Sequence, residues 1–139
     1  MDLAPYLVFD GRCEEAFRFY ERSLGGRIVA MTTFGDSPMA QHASPEWHGK
    51  ILHARLVLGD MVLMGSDAPP ERHEAMQGFY VTLTTDDPTE AERVFLALAE
   101  EGTVRMQLQE TFWAQRFGML VDRFGTPWMV NCEKPRAIG

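Results

Sequence analysis

Residues 79–102, FYVTLTTDDPTEAERVFLALAEEG, contain a strand signal followed directly by a helix signal. Apolar and polar residues alternate through 79–85, which is typical of a half-buried strand. Asp87-Pro88 then predicts a helix start, because aspartate caps a first turn and proline suits the first helical position. Glu90 lies where a capping-box acid would, and Gly102 ends the helix. The buried stripe of this helix is predicted to be Ala91, Val94, Phe95 and Leu98.

The first half of the chain repeats this order. Residues 3–9 form an apolar strand candidate that ends at Asp10-Gly11, and helical spacing then continues to Gly25-Gly26. Further strands are predicted at 27–34, 51–58 and 61–64, and at 103–109, 112–121 and 126–132. Each half therefore reads strand, helix, strand, strand, strand.

This repeat predicts an α+β fold built from two βαβββ modules, at about 1–68 and about 77–135, within a single domain 1–139. Residues 66–76, with Pro69-Pro70, are the expected linker. One helix would cover one face of each sheet, so the other face must be buried or must enclose a cavity.

Composition limits the classes of function. The chain has 139 residues, 45% of them hydrophobic, and a formal net charge of -7, which argues against nucleic-acid binding. No apolar run approaches the roughly 18 residues that span a bilayer, and the N-terminus does not read as a signal peptide. Cys13 and Cys132 show no CxxC spacing, so we expect reduced thiols in the cytoplasm.

Three stretches resemble the vicinal oxygen chelate superfamily of glyoxalases, bleomycin-resistance proteins and dioxygenases, and most closely its PhnB-like branch. They are PYLVFDGRCEEAFRFY at 5–20, HARLVLGDMVLMGSD at 53–67 and ETFWAQRFGMLVDRFGTPWMVN at 110–131. The resemblance implies a curved, glyoxalase-like sheet around a cavity and, by analogy, a homodimer. The branch has no defined activity. Members of this branch are sometimes described as methyltransferases. That activity does not suit this chain, because it lacks a glycine-rich, nucleotide-binding loop between a strand and a helix.

Metal-dependent members of this superfamily take His, Gln or Glu ligands from places that correspond here to Pro5, Tyr80, Met129 and a position near Met64. None of these side chains is a good ligand for a hard or borderline divalent ion. The resemblance therefore predicts a cavity without a metal or other cofactor, and a divalent metal with displaced ligands is the alternative.

His53 is the strongest candidate for acid–base chemistry, because its reference pKa lies near neutrality. The alternative is a half-buried strand histidine that is hydrogen-bonded within the fold. Asp122 is a second catalytic candidate, able to orient His53 or to bind a substrate hydroxyl. The alternative for Asp122, and equally for Asp67, is a turn residue that bonds nearby backbone.

Period-2 geometry places polar side chains on the strand faces away from the helices, where they are expected to line one common concavity with His53. Trp113 is expected to look into this cavity and stack on a ligand. Trp47 lies in the long loop 35–50 and would close over a ligand or pack on a partner subunit. The predicted ligand-binding residues are Arg55, Tyr80, Thr82, Trp113, Asn131 and Trp47.

Two functions follow as hypotheses. The first is the binding of a small molecule in a metal-free cavity. The second is a small-molecule enzyme of lyase, isomerase or dioxygenase type that uses His53 as acid or base, or a divalent metal. In both cases the expected partners are a small-molecule ligand and a second copy of the chain, with no nucleic acid and no membrane.

Overall fold

The chain folds as two compact units of the same build, Met1–Glu74 and Ala75–Gly139, in a computed structural model that describes residues 1–135. The first unit contains β1 (Tyr6–Phe9), α1 (Cys13–Leu24), β2 (Arg27–Thr33), β3 (Ile51–Leu58) and β4 (Met61–Asp67). The second contains β5 (Val81–Thr85), α2 (Pro88–Ala99), β6 (Thr103–Gln109), β7 (Ala114–Val121) and β8 (Pro127–Glu133). The predicted α+β class and the paired βαβββ modules are confirmed.

Each unit holds one four-stranded sheet with the same topology. The strand order is β1-β4-β3-β2 in the first and β5-β8-β7-β6 in the second. The first strand of each module pairs in parallel with the last, and all other pairs are antiparallel. The connection between these two strands runs through the helix and the two intervening strands, which gives it the length that a parallel pair requires.

One glycine in each sheet lets the helix pack closely on the strands. A Cβ built on Gly65 would lie 2.7 Å from Cε1 of Phe17 in α1, and one on Gly118 would lie 2.6 Å from Cε2 of Phe95 in α2. These contacts identify the face of each sheet that the helix covers. Side chains one position away along the same strand therefore point to the other face.

The predicted alternation is confirmed in β8. Trp128, Val130 and Cys132 are buried on the helix side, whereas Met129 and Asn131 have intermediate exposure. The buried face of a strand can therefore be predicted from the alternation of apolar residues alone, without information on tertiary contacts.

Several element ends differ from the predicted ones. The fourth strand continues to Asp67, the fifth begins only at Val81, and the seventh begins at Ala114, so Trp113 precedes its strand. Residues 35–50, predicted as a loop, contain two 3₁₀ turns at Pro38–His42 and Pro45–Trp47.

The helix start predicted at Asp87-Pro88 is confirmed, because the Asp87 carboxylate accepts a 3.0 Å hydrogen bond from the Thr89 amide. The predicted capping-box role of Glu90 is wrong. The Glu90 carboxylate bonds the Arg93 guanidinium one turn later, and the Asp87 amide donates instead to Oγ1 of Thr85 at 3.2 Å. None of the helices within residues 1–135 is long and apolar enough to cross a membrane.

Candidate functional site

The second sheet has a face that α2 does not cover, which we call the open face. Gly118 and Val130 pair with each other on the helix side, so their strand neighbours point the other way. Strand register brings the open-face residues together in three adjacent strands. They include Thr82, Thr84, Phe117, Met119, Met129 and Asn131.

Asn131 holds a polar atom that has no partner in the described chain. It lies in β8 between Thr84 of β5 and Phe117 of β7, which are its registered neighbours. Its Oδ1 is buried and accepts no hydrogen bond. Buried polar atoms are hydrogen-bonded in the great majority of cases, so an exception of this kind needs an explanation.

Three aromatic side chains extend outward from Asn131. The Phe117 ring meets Trp113 edge-on, with centroids 5.4 Å apart, and Trp113 meets Phe112 edge-on at 4.7 Å. Trp113 is 48% exposed and Phe112 is 89% exposed. Two adjacent exposed rings form an apolar patch, and patches of this kind commonly mark a binding surface.

A side-chain bridge joins the two edge strands of the same sheet. Arg105 of β6 donates from Nη1 to the hydroxyl of Tyr80, just before β5, at 2.9 Å, and its guanidinium lies 5.8 Å from the centre of the tyrosine ring. Arg105 occupies a register irregularity between Val104 and Met106, which re-aims its side chain. The sequence assigned no role to Arg105 because a bulge cannot be read from alternation.

The first sheet places His53 on the side away from α1. The next residue, Ala54, is buried and pairs with Gly65, whose Cβ position faces Phe17 of α1, so His53 points the other way. His53 Nδ1 lies 3.3 Å from the hydroxyl of Tyr6, and the two rings stack with centroids 5.8 Å apart. Arg55 is exposed on the same strand, beside Met64 and Ala30 in register. Sequence reasoning missed Tyr6, although it is the first residue of β1 and carries the only polar group among the side chains of that strand.

Asp122 is 4% exposed, and both oxygens of its carboxylate accept hydrogen bonds from its own unit. Oδ1 accepts from the amides of Phe124 and Thr126 at 2.8 and 3.0 Å, and Oδ2 accepts from the indole of Trp128 at 2.8 Å. The turn-residue alternative describes this geometry, and a catalytic role for Asp122 stays a prediction.

Both oxygens of the Asp67 carboxylate also accept hydrogen bonds, but from distant segments. Oδ1 accepts from the amides of Gly11 and Cys13 at 3.0 and 2.9 Å, and Oδ2 accepts from the amide of Ile51 at 2.9 Å. The expectation of a local turn residue is therefore wrong for Asp67. Its carboxylate instead ties the start of α1 and the start of β3 to the end of β4.

A cavity of about 440 Å³ lies beside this carboxylate, between α1 and the residues that enter β3. Its lining residues are Gly11, Glu14, Glu15, Arg18, Arg22, Gly49, Lys50, Ile51 and Asp67. The Lys50 ammonium donates to the Gly11 carbonyl at 3.0 Å, and Glu14 pairs with Arg18 at 3.3 Å. No predicted site residue lines this cavity.

Trp47 belongs to the second 3₁₀ turn and packs on Phe34, with ring centroids 6.4 Å apart. Its Nε1 is buried and makes no hydrogen bond within residues 1–135. His48, the next residue, bonds the carbonyls of Ala40 and Ala43 through Nε2 at 2.9 and 3.2 Å, which stabilises the fold of this segment. A role for Trp47 at a ligand or a partner subunit stays a prediction.

The predicted ligand-binding residues fall into two groups. Tyr80, Thr82, Trp113 and Asn131 belong to the second unit, whereas Arg55 and Trp47 belong to the first, together with the catalytic candidate His53. The single concavity expected from period-2 geometry stays a prediction. Phe117 and Phe112 join the second group as residues that sequence reasoning missed, although Phe117 lies at alternate spacing from Trp113 and Gln115.

The side chains at the expected metal-ligand places do not suit a hard divalent ion. In register, Met64 lies between Tyr6 and Arg55, and Met129 lies between Thr82 and Met119. Thioethers, a phenol and a guanidinium are not the oxygen and imidazole donors that such ions prefer. No group of three or more His, Cys, Asp or Glu side chains comes together in the described part of the chain.

Comparison with known proteins agrees with this architecture. The chain is 37% identical over 142 residues to Protein YjdN of Escherichia coli K12, covering 96% of this chain and 97% of that one. It is similar to the crystal structure of PA1353 from Pseudomonas aeruginosa, with a TM-score of 0.88, 50% identity and coverage of 97% and 99%.

A second similar structure, from Bacillus cereus, is described as a putative 3-demethylubiquinone-9 3-methyltransferase, PhnB protein. The TM-score is 0.79 at 24% identity, with coverage of 95% and 99%, so this likeness supports the fold alone. The family model described as Glyoxalase/Bleomycin resistance protein/Dioxygenase superfamily matches residues 2–130. Its match over nearly the whole chain, together with the duplicated βαβββ units, places this chain in the glyoxalase/bleomycin resistance protein/dioxygenase superfamily.

Proposed function

We propose that this chain binds a small organic molecule on the open face of its second sheet, without a metal held by the protein. One observation carries the proposal. The Oδ1 atom of Asn131 is buried on that face and accepts no hydrogen bond.

A buried acceptor without a partner costs about 1–3 kcal/mol, because the water it loses on folding is not replaced. A fold tolerates that cost where the missing donor arrives from outside. The registered residues around Asn131 carry apolar and hydroxyl side chains: Met119, Met129, Phe117 and the two threonines. An apolar surface with few, well-placed polar atoms is the usual composition of a small-molecule site.

The absence of a protein-held metal is part of the proposal. It is supported by the thioether and phenol side chains at the expected ligand places, Met64, Met129 and Tyr80. Metal analysis by mass spectrometry, on protein purified without chelators, is expected to give well under one equivalent of Fe, Ni, Mn or Zn. A stoichiometric signal would contradict this part of the proposal.

The test of binding is a screen of small hydrogen-bond donors by the shift they cause in melting temperature. Donors that bind the open face are expected to stabilise the native chain and to lose most of that effect with Asn131→Leu. Thr103→Val is the matched control, since Thr103 is an exposed β6 residue at the far edge of the sheet. Equal stabilisation of wild type and Asn131→Leu by every hit would overturn the assignment of the site.

A second candidate function rests on the Tyr6–His53 pair. A phenol 3.3 Å from an imidazole nitrogen can fix the tautomer of that imidazole, which is useful in acid–base catalysis. If the chain is an enzyme of this kind, His53→Gln abolishes turnover and leaves ligand binding intact. Retained turnover would assign His53 a packing role.

The proposed partners are the small-molecule ligand and a second copy of the chain. The dimer rests on analogy within the superfamily, and multi-angle light scattering tests it directly. A monomeric mass of 15.8 kDa across the micromolar range would contradict the dimer. The net charge of -7 disfavours nucleic acid as a partner.

A further inference from the structure

We propose that the ligand of the open face is a planar aromatic compound with an N–H or O–H donor on or next to its ring. This inference rests on the proposed function and names the ligand class for the same site. Two features of the second sheet support it: an unpartnered acceptor and an exposed series of aromatic rings.

The acceptor determines the polar group of the ligand. The Oδ1 atom of Asn131 is an amide oxygen, which can only accept hydrogen bonds. A carboxylate, ether or tertiary amide brought to this atom would leave it unpaired. A primary amide, a phenol or a pyrrole-type N–H would satisfy it.

The aromatic side chains determine the shape of the ligand. Phe117 is the registered neighbour of Asn131 on β7, and Trp113 and Phe112 continue from it edge to face. Phe112 and Trp113 keep 89% and 48% of their surface exposed. Aromatic rings prefer offset or edge-to-face neighbours at 4.5–7 Å, so a flat ring extends this series up to the acceptor.

Three amides of similar size separate these features. Benzamide has the ring and the N–H donor, N,N-dimethylbenzamide has the ring without the donor, and cyclohexanecarboxamide has the donor without an aromatic ring. Each is titrated into ¹⁵N-labelled full-length chain at millimolar concentration, and two-dimensional NMR follows the Asn131 side-chain amide and the Trp113 indole. The indole of Trp128 is the internal reference, because it is buried and bonded to Asp122.

Benzamide is expected to shift the Asn131 and Trp113 signals and to leave the Trp128 signal in place. Removing either the donor or the aromatic ring is expected to weaken binding by roughly three- to tenfold, the effect of one neutral hydrogen bond or one aromatic pair. Asn131→Leu should reduce benzamide to the level of N,N-dimethylbenzamide, and Thr103→Val should change neither.

The possible failures are distinct. If the three amides bind equally, or if cyclohexanecarboxamide binds best, the ligand class is wrong and the proposed function stands. If none of them moves the Asn131 or Trp113 signals while other donors in the screen do, the class is again wrong. If no donor of any kind moves these signals, both the class and the proposed site are wrong.

Discussion

The indole nitrogen of Trp128 donates a 2.8 Å hydrogen bond to the carboxylate of Asp122, and both side chains are buried in the second unit. The other oxygen of the same carboxylate accepts hydrogen bonds from two backbone amides of the turn between β7 and β8. One side chain therefore joins the turn to the largest residue of the core.

Asp122→Asn should destabilise the fold. The amide that replaces Oδ2 presents hydrogens to the Trp128 indole, so a buried donor faces a donor. The variant loses a charge-assisted hydrogen bond and leaves the buried indole N–H without an acceptor. Together these changes should lower the free energy of unfolding by about 3 kcal/mol. Urea denaturation followed by tryptophan fluorescence measures the change.

Asp86→Asn is the control for that substitution, because Asp86 is exposed and its change should move stability by less than about 0.5 kcal/mol. If Asp122→Asn proves as mild as this control, the carboxylate does not stabilise the turn and the core as described.

Gly118→Ala should also be destabilising, for steric reasons. The new Cβ would lie 2.6 Å from Cε2 of Phe95 and 3.0 Å from the Leu108 Cα, so either α2 or β6 must move. Overpacking of this kind costs about 1–3 kcal/mol. Gly49→Ala is the matched control, since nothing lies within 4 Å of its Cβ position.

The steric cause can be tested by rescue. Combining Gly118→Ala with Phe95→Leu should cost less than the sum of the two single changes, because the shortened side chain vacates the contact. If the two free-energy costs are strictly additive, a clash with Phe95 is not the cause of the destabilisation by Gly118→Ala.

Much of this fold follows from local signals. The limits of β3 and β6, the cap at Asp87 and the buried alternation of Trp128, Val130 and Cys132 agree with the sequence, because caps and period-2 patterns act over a few residues.

The site was less predictable than the fold. Arg105 reaches Tyr80 through a bulge, and Asp67 collects amides from residues up to 56 positions away. Both depend on tertiary contacts that local patterns do not specify. Asn131 was found from alternation, but the burial of its Oδ1 without a partner is visible only in the structure.

The buried thiol of Cys13 should make stability fall at alkaline pH. Burial, then the negative charges of Asp67 and Glu14, raise the pKa of this thiol well above its ordinary value. Below the pKa of the unfolded chain the thiol is protonated in both states. As pH rises through about 9, only the unfolded state releases the proton, so the free energy of unfolding decreases.

Urea unfolding between pH 7 and pH 10.5 measures this slope, and Cys13→Ala should make it shallower. Burial also raises the pKa of the Cys132 thiol, so part of the slope should remain. Both cysteines should react with a thiol reagent at pH 8 only after unfolding, because the thiolate is the reactive form. Rapid labelling of the native chain would contradict the burial of these groups.

Asn131→Leu should raise stability while it removes binding, and this combination is the most specific expectation for the site. Leucine has nearly the branched shape of asparagine but no acceptor to leave unpaired, so the free energy of unfolding should increase by about 1–2 kcal/mol. Asn131→Asp keeps the shape and places a charge at the same point, and it should lower stability. Thermal unfolding of both variants measures the stabilities, and the donor screen measures binding. A leucine variant less stable than wild type would mean that Oδ1 is satisfied in the free protein, and the case for a ligand at this atom would fail.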